Sequence, residues 1–239
     1  MLLRSPHSKA FDGVTPAVLY RLATWFSPSF PVGAFSYSSG IEWAVEARDI
    51  ADAATLQRWI KVMLAHGGGF CDAVFFAHAH RAVMANDKKL LREVAELAAA
   101  FIPSKERYLE TTQQGQAFCE TIRASWPCAA LNLLAKIWDG PIVLPIAAGV
   151  VTAGHDIPVA PAIHAYLQAL AANLVSAGVR LIPLGQTDGQ RLIAALEDDI
   201  GAVADRALAA TIDDIGTCAF RVDLASMRHE TQYTRLFRS

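Results

Sequence analysis

Apolar residues recur at helical spacing through most of this chain. Over residues 14–26, Val18, Leu19, Leu22, Ala23 and Phe26 share a helical stripe that Pro28 cuts off. Asp52 has the place of an N-cap before Leu56, Ile60, Val62, Met63 and Leu64, and Gly67-Gly-Gly69 ends that helix. An alanine-rich helix follows over 70–84, and Asn86-Asp87 opens another that reaches about Ala100. Pro103 suits the first turn of a long helix running to Ala124, and Pro127 and Pro141 punctuate what comes after. Pro158 and Pro161 start a helix over 162–178, with Gly178 as terminator. Thr187-Asp-Gly-Gln190 opens one more, carrying Leu192, Leu196, Ile200 and Val203. No alternation of period two and no internal repeat interrupts this pattern. The expected fold is all-α: a single helical domain of about ten helices over 14–219, with a flexible segment 1–13 before it.

Two segments break the pattern. Residues 27–42 read Ser-Pro-Ser-Phe-Pro-Val-Gly-Ala-Phe-Ser-Tyr-Ser-Ser-Gly-Ile-Glu, with two prolines, two glycines, three aromatics and one charge. Such a stretch is too apolar for a linker and too rich in Pro and Gly for a helix interior, so it predicts an ordered, irregular surface that displays Phe30, Phe35 and Tyr37 to a partner. Ser39-Gly-Ile-Glu42 has the form of a capping box, which starts a helix running to about Arg48. The second segment is 220–239, with Arg221, Arg228, Arg235 and Arg238 against Asp223 and Glu230, a local +2 on a chain of net charge −2. It is too polar to join the core alone, yet Met227, Tyr233, Leu236 and Phe237 are typical interface anchors. A docking tail that orders on partner binding is the expectation.

Composition narrows the function classes. The 239 residues are 53% hydrophobic and 18% charged, enough for a substantial core, and no basic run supports nucleic-acid binding. Cys71, Cys119, Cys128 and Cys218 form no C-x-x-C pair, which points to reduced thiols in the cytoplasm. Residues 140–155 and 157–179 hold no Lys, Arg, Asp or Glu and approach bilayer-spanning length. Their prolines, and His164, Gln168, Asn173 and Ser176 spread along the second, fit buried helices or an oligomer interface better than a membrane.

Catalytic motifs are hard to assemble. No lysine follows a glycine, so no phosphate loop is present. Gly33-Ala-Phe-Ser36 places Phe35 where a nucleophile elbow needs its serine. Cys71 and His78 share a helical face, with His66 across the glycine turn, and a transient soft-metal site competes there with a core cysteine and edge histidines. Arg180, after 23 uncharged residues, is expected to tie the core edge to a carboxylate or a backbone carbonyl. Gln186 and Asp188 beside it suit either a cap-and-turn or a docking role, whereas Arg107 and Glu110 read as charged helical surface. An all-α enzyme acting on an apolar substrate stays open as the competing class, with no catalytic group and no metal ligand to assign.

Three motifs converge on a family. Residues 27–42 resemble the N-terminal signature of the UreF urease accessory proteins. Arg-Leu-Ile-Pro-Leu-Gly-Gln-Thr-Asp-Gly-Gln over 180–190 resembles that family's central motif, and Ser-Met-Arg-His-Glu-Thr-Gln-Tyr-Thr-Arg-Leu-Phe-Arg-Ser over 226–239 resembles its ending. The resemblance spans about 16–239. It implies an all-α homodimer without chemistry or cofactor of its own, handling nickel only transiently. It also implies partners: the accessory protein UreD (also called UreH), the GTPase UreG and apo-urease, with neither nucleic acid nor membrane. Modulation of the GTPase is a further implication. Carried over residue by residue, the interaction set is Phe30, Phe35, Tyr37, Glu42, Arg180, Gln186, Asp188, Arg228, His229, Tyr233, Arg235, Leu236 and Phe237. Tyr37 is expected to hydrogen-bond Arg235 once the tail folds onto the 27–42 loop, and His164, Gln168 and Asn173 to line an internal passage.

Overall fold

A computed structural model describes residues 13–239; residues 1–12, nearly all of the expected flexible segment, lie outside the described residues. Those described form twelve α-helices and two 3-10 turns, with no strand among them. Helix α1 is Pro16–Trp25, α2 Ile41–Glu46, α3 Ala53–His66 and α4 Gly68–Met84. Then come α5 Lys88–Ala100, α6 Lys105–Ser125, α7 Ala129–Ile137 and α8 Leu144–Gly154. The set closes with α9 Val159–Leu181, α10 Gln186–Ala195, α11 Glu197–Ala209 and α12 Phe220–His229.

Local chemistry explains most boundaries. The Thr55 N–H donates to Asp52 Oδ1 at 2.8 Å and the Asp52 N–H to Thr55 Oγ1 at 3.0 Å, a reciprocal cap that starts α3. Asp87 caps α5 through the Leu90 N–H at 2.9 Å, and Ser104 caps α6 through the Arg107 N–H at 3.2 Å. Pro103 therefore precedes the cap of α6 rather than sitting in its first turn. Gly68 and Gly69 belong to the first turn of α4, and the segment expected as one helix from Thr187 divides at Leu196 into α10 and α11.

Helix α4 is the hub: Phe70, Val74, Phe75, Phe76 and its alanines are all buried, against α3, α5, α8, α9 and α11. Each large apolar side chain so enclosed contributes about 1.5–3 kcal/mol. Gly178 does not end α9, which runs on to Leu181; a Cβ at Gly178 would come 2.3 Å from Leu56 Cδ2, so the glycine lets α9 approach α3 closely. Beside this core an aromatic cluster anchors the start of the 27–42 loop. Phe30 lies 5.3 Å from Phe118 and 6.5 Å from Trp126, ring centroid to centroid, and Trp25 meets Trp126 edge-on at 6.1 Å.

Candidate functional site

The loop and the tail meet, and they do so within one chain. After the 3-10 turn Ala34–Ser36, Ser39 (φ +53°) and Gly40 (φ +82°) take left-handed conformations and swing the backbone into α2. Gly40 cannot be replaced cheaply there: a Cβ would stand 2.7 Å from the Ser226 nitrogen, because α12 rests directly on it. From α12 the tail crosses the loop. The Arg238 N–H donates to the Ser36 carbonyl at 2.8 Å, and the Ser38 hydroxyl donates to the Ser239 main-chain oxygen at 2.6 Å. Ser226 meets Ser104 hydroxyl to hydroxyl at 2.8 Å. The tail is thus already docked in the single chain.

Glu42 organises this junction. Its Oε1 accepts the Leu236 N–H at 2.6 Å; its Oε2 accepts the Phe237 N–H at 2.9 Å and faces His229 Nε2 at 3.0 Å. The expected capping box is therefore absent. The Glu42 carboxylate is spent on the tail, the Ser39 hydroxyl donates to Glu110, and the Glu42 N–H finds Ser38 Oγ at 3.3 Å instead. The fully buried His229 ring has its other nitrogen, Nδ1, 2.8 Å from Glu106 Oε2, and Arg235 Nη1 donates to Glu106 Oε1 at 3.2 Å. Burial pushes the Glu106 carboxyl above its ordinary value, opposed first by His229 and then by Arg235.

A second charge cluster lies beside the first. Arg107 Nη1 contacts Glu110 Oε2 at 2.7 Å, and its Nη2 lies 3.9 Å from Asp72 Oδ2, which also accepts the Tyr166 hydroxyl at 3.0 Å. The Ser239 hydroxyl donates to Glu110 Oε2 at 3.1 Å, so the end of the tail touches this cluster as well. Burial raises Asp72 to about 6, although Arg107 pulls it down. Burial opposes the Arg107 charge too, yet Glu110 and Asp72 hold the guanidinium protonated above its usual range. Glu110 is thus buried and Arg107 half-buried, rather than the charged surface pair expected. The signal was available: Glu106, Glu110 and Gln114 continue, every fourth residue, the buried face of Phe118 and Ile122 on α6.

The other site residues divide. Phe30 and Tyr37 are buried, 6% and 4% exposed, whereas Phe35 is 66% exposed; of the three loop aromatics, one is displayed. The Tyr37 hydroxyl donates to Gln113 Oε1 at 2.5 Å, so it does not bond Arg235, whose partner is Glu106. Arg180 matches its expectation. Its Nη2 donates to the Phe35 carbonyl at 2.8 Å and its guanidinium lies 4.3 Å over the ring of buried Phe237. Asp188 caps α10 by accepting the Gly185 N–H at 3.2 Å and pairs with Arg191 at 2.8 Å, and Gln186 is exposed beside it; both belong to a turn rather than to the loop–tail junction. Arg228, Tyr233 and Leu236 are exposed.

Elsewhere, Cys71 Sγ donates to the Gly216 carbonyl at 3.4 Å and burial raises its thiol to about 11, while His78 Nε2 bonds the Ala210 carbonyl at 3.2 Å. Among the described residues no three His, Cys, Asp or Glu side chains are placed to hold a metal ion. Gln168 and Asn173 help line a cavity of about 210 Å³ between the loop, α6 and α9, together with Trp25, Phe26 and Phe118; His164 is not in its wall.

A family model described as UreF matches residues 50–197. The chain belongs to the UreF family. Among relatives, it is 59% identical over 223 residues to the urease accessory protein UreF of Rhodopseudomonas palustris (strain BisB5), covering 93% of this chain and 92% of that one. To the urease accessory protein UreF of R. palustris (strain BisB18) it is 57% identical over 235 residues, 98% of both chains. The protein of the same name in Bradyrhizobium sp. (strain ORS 278) shares 59% over 230 residues, 96% of this chain and 95% of that one. The matched region lies between the two segments, 27–42 and 220–239, that this structure joins.

Proposed function

We propose that this chain is a non-catalytic urease accessory protein of the cytoplasm. As a homodimer it bridges UreD (UreH) on apo-urease to the GTPase UreG, supports GTP-dependent nickel delivery and modulates the GTPase. Nickel is cargo in this reading, passed on within the assembly rather than kept. One observation carries the reading: Phe35, Tyr233 and Leu236 stand exposed along the seam where loop and tail are stitched together, while Arg180 holds the Phe35 carbonyl and Glu42 holds the Leu236 N–H. Exposed apolar anchors on a fixed base are what a docking surface needs. Two stretches, Ala53–Met84 and Val159–Leu181, are long and apolar enough to span a bilayer. The first is two helices, α3 and α4, meeting at Gly67, and 67% and 50% of the respective apolar windows are buried in the fold, which favours a core role.

Co-expression with tagged UreG and UreD, followed by mass measurement of the captured complex, tests the reading. A complex with two copies of each of the three proteins is expected. Absence of association sinks the scaffold and returns the competing enzyme class.

A further inference from the structure

Glu42 accepts two N–H groups from the far end of the chain, Leu236 N and Phe237 N, and its Oε2 lies 3.0 Å from His229 Nε2. With Glu42 as the acceptor of all three contacts, the proton between it and the imidazole sits on Nε2. Its Nδ1 then faces Glu106 Oε2 at 2.8 Å. A ring protonated only on Nε2 presents a lone pair there, and an ionised Glu106 presents another. Two acceptors do not sit at that distance around a fully buried ring, so one more proton is required, on Nδ1 or on Glu106.

We propose that this shared proton latches the tail: with it, His229 pins residues 230–239 across Glu42 and Glu106, and without it the tail leaves the body and takes Tyr233 and Leu236 with it. His229 is thereby a positioning residue that builds the docking surface without touching what docks. Only the purpose of the surface rests on the function proposed above; the latch itself needs no partner.

The charged neighbours are few. Glu42 comes from α2, Glu106 from α6, Arg235 from the tail onto Glu106 Oε1, and Glu230 lies close to Glu106. Glu46, farther along α2, is engaged by Gln232. Two carboxylates are balanced by Arg235 and the extra proton, so losing the proton leaves a buried net negative charge. Burial already drives Glu106 toward the protonated side, which keeps the proton within the pair.

A histidine in water is neutral above about pH 6.5. Docking then takes up one proton and weakens as pH rises, by up to tenfold per pH unit. Hydrogen exchange of the 230–239 segment in the full chain, corrected for intrinsic rates between pH 6 and pH 9, reads this directly. Wild-type protection is expected to fall with pH, and His229→Ala to lose it at every pH. Glu106→Gln separates the proton from mere packing, because its amide N–H satisfies Nδ1 of a neutral ring and its carbonyl still accepts from Arg235. That variant is expected to keep the tail protected with the slope gone. Flat wild-type protection overturns the proposal, and so does a Glu106→Gln slope equal to that of the wild type. If Glu106→Gln does not fold, the wild-type slope alone decides. Failure to bind UreD or UreG with the titration intact overturns the scaffold reading and leaves the latch standing.

Discussion

Two buried charge clusters lie side by side on α6, and they differ in where their positive charge comes from. In the Asp72–Arg107–Glu110–Tyr166 cluster every member belongs to the helical body, on α4, α6 or α9. In the Glu42–Glu106 cluster the acids belong to the body, but His229 and Arg235 arrive with the tail. The first is therefore fixed as soon as the helices pack, whereas the second can open and let water in. Similar burial and similar chemistry thus yield a strut in one place and a fastening in the other.

The sharpest way to break this contrast is Arg107→Ala. Buried Glu110 and half-buried Asp72 lose their counter-charge, and a global loss of about 3–5 kcal/mol is expected in urea unfolding. A loss below about 1 kcal/mol would mean that the strut, too, can open. Next in size is Phe30→Ala, which removes a ring packed on Phe118 and Trp126 and is expected to cost about 3 kcal/mol in the same assay.

Asp72→Asn probes the strut by pH. The Asp72 carboxyl is raised in the fold, to about 6, so its contribution is fully present below its unfolded value near 4 and is lost as pH rises through about 6. The variant cannot ionise there. Its melting temperature relative to wild type is expected to climb between pH 4 and pH 7, and a constant difference rules out this account of Asp72.

Glu42→Gln acts on the fastening and should be milder globally, below about 1 kcal/mol, because the tail can lift away. Trypsin cleavage within 228–239 should nevertheless accelerate, and unchanged cleavage would show that Glu42 does not hold the tail. Phe35→Ala is the smallest in stability, within about 0.5 kcal/mol, yet it is expected to weaken capture of UreD or UreG. Equal capture would move the docking surface off the seam.

Much of the body was legible because its signals are local. Asp52, Asp87 and the 70–84 run act through neighbours three or four residues away, and Arg180 stood out by ending an uncharged stretch. Glu110 was legible in principle through its α6 period, but its charge argued for surface; Arg107 lies off that row, and only its partners Glu110 and Asp72 draw it inward. Phe30 and Phe35 share one loop and one residue type, so nothing local tells which ring is buried. Glu42 was misread for the same reason: a serine three residues before it offers a plausible local partner, while its real partners are 187 to 195 residues away.

That separation has a kinetic meaning. Bringing Glu42 to His229, Leu236 and Phe237 closes a loop spanning most of the polypeptide, and the entropy of such closure must be met before the contact returns anything. Helical neighbours such as α3 and α4 close short loops and are expected to meet early, and the fastening to form after them. Changes at Glu42 or His229 accordingly belong on the unfolding limb of a chevron, with the folding limb nearly untouched.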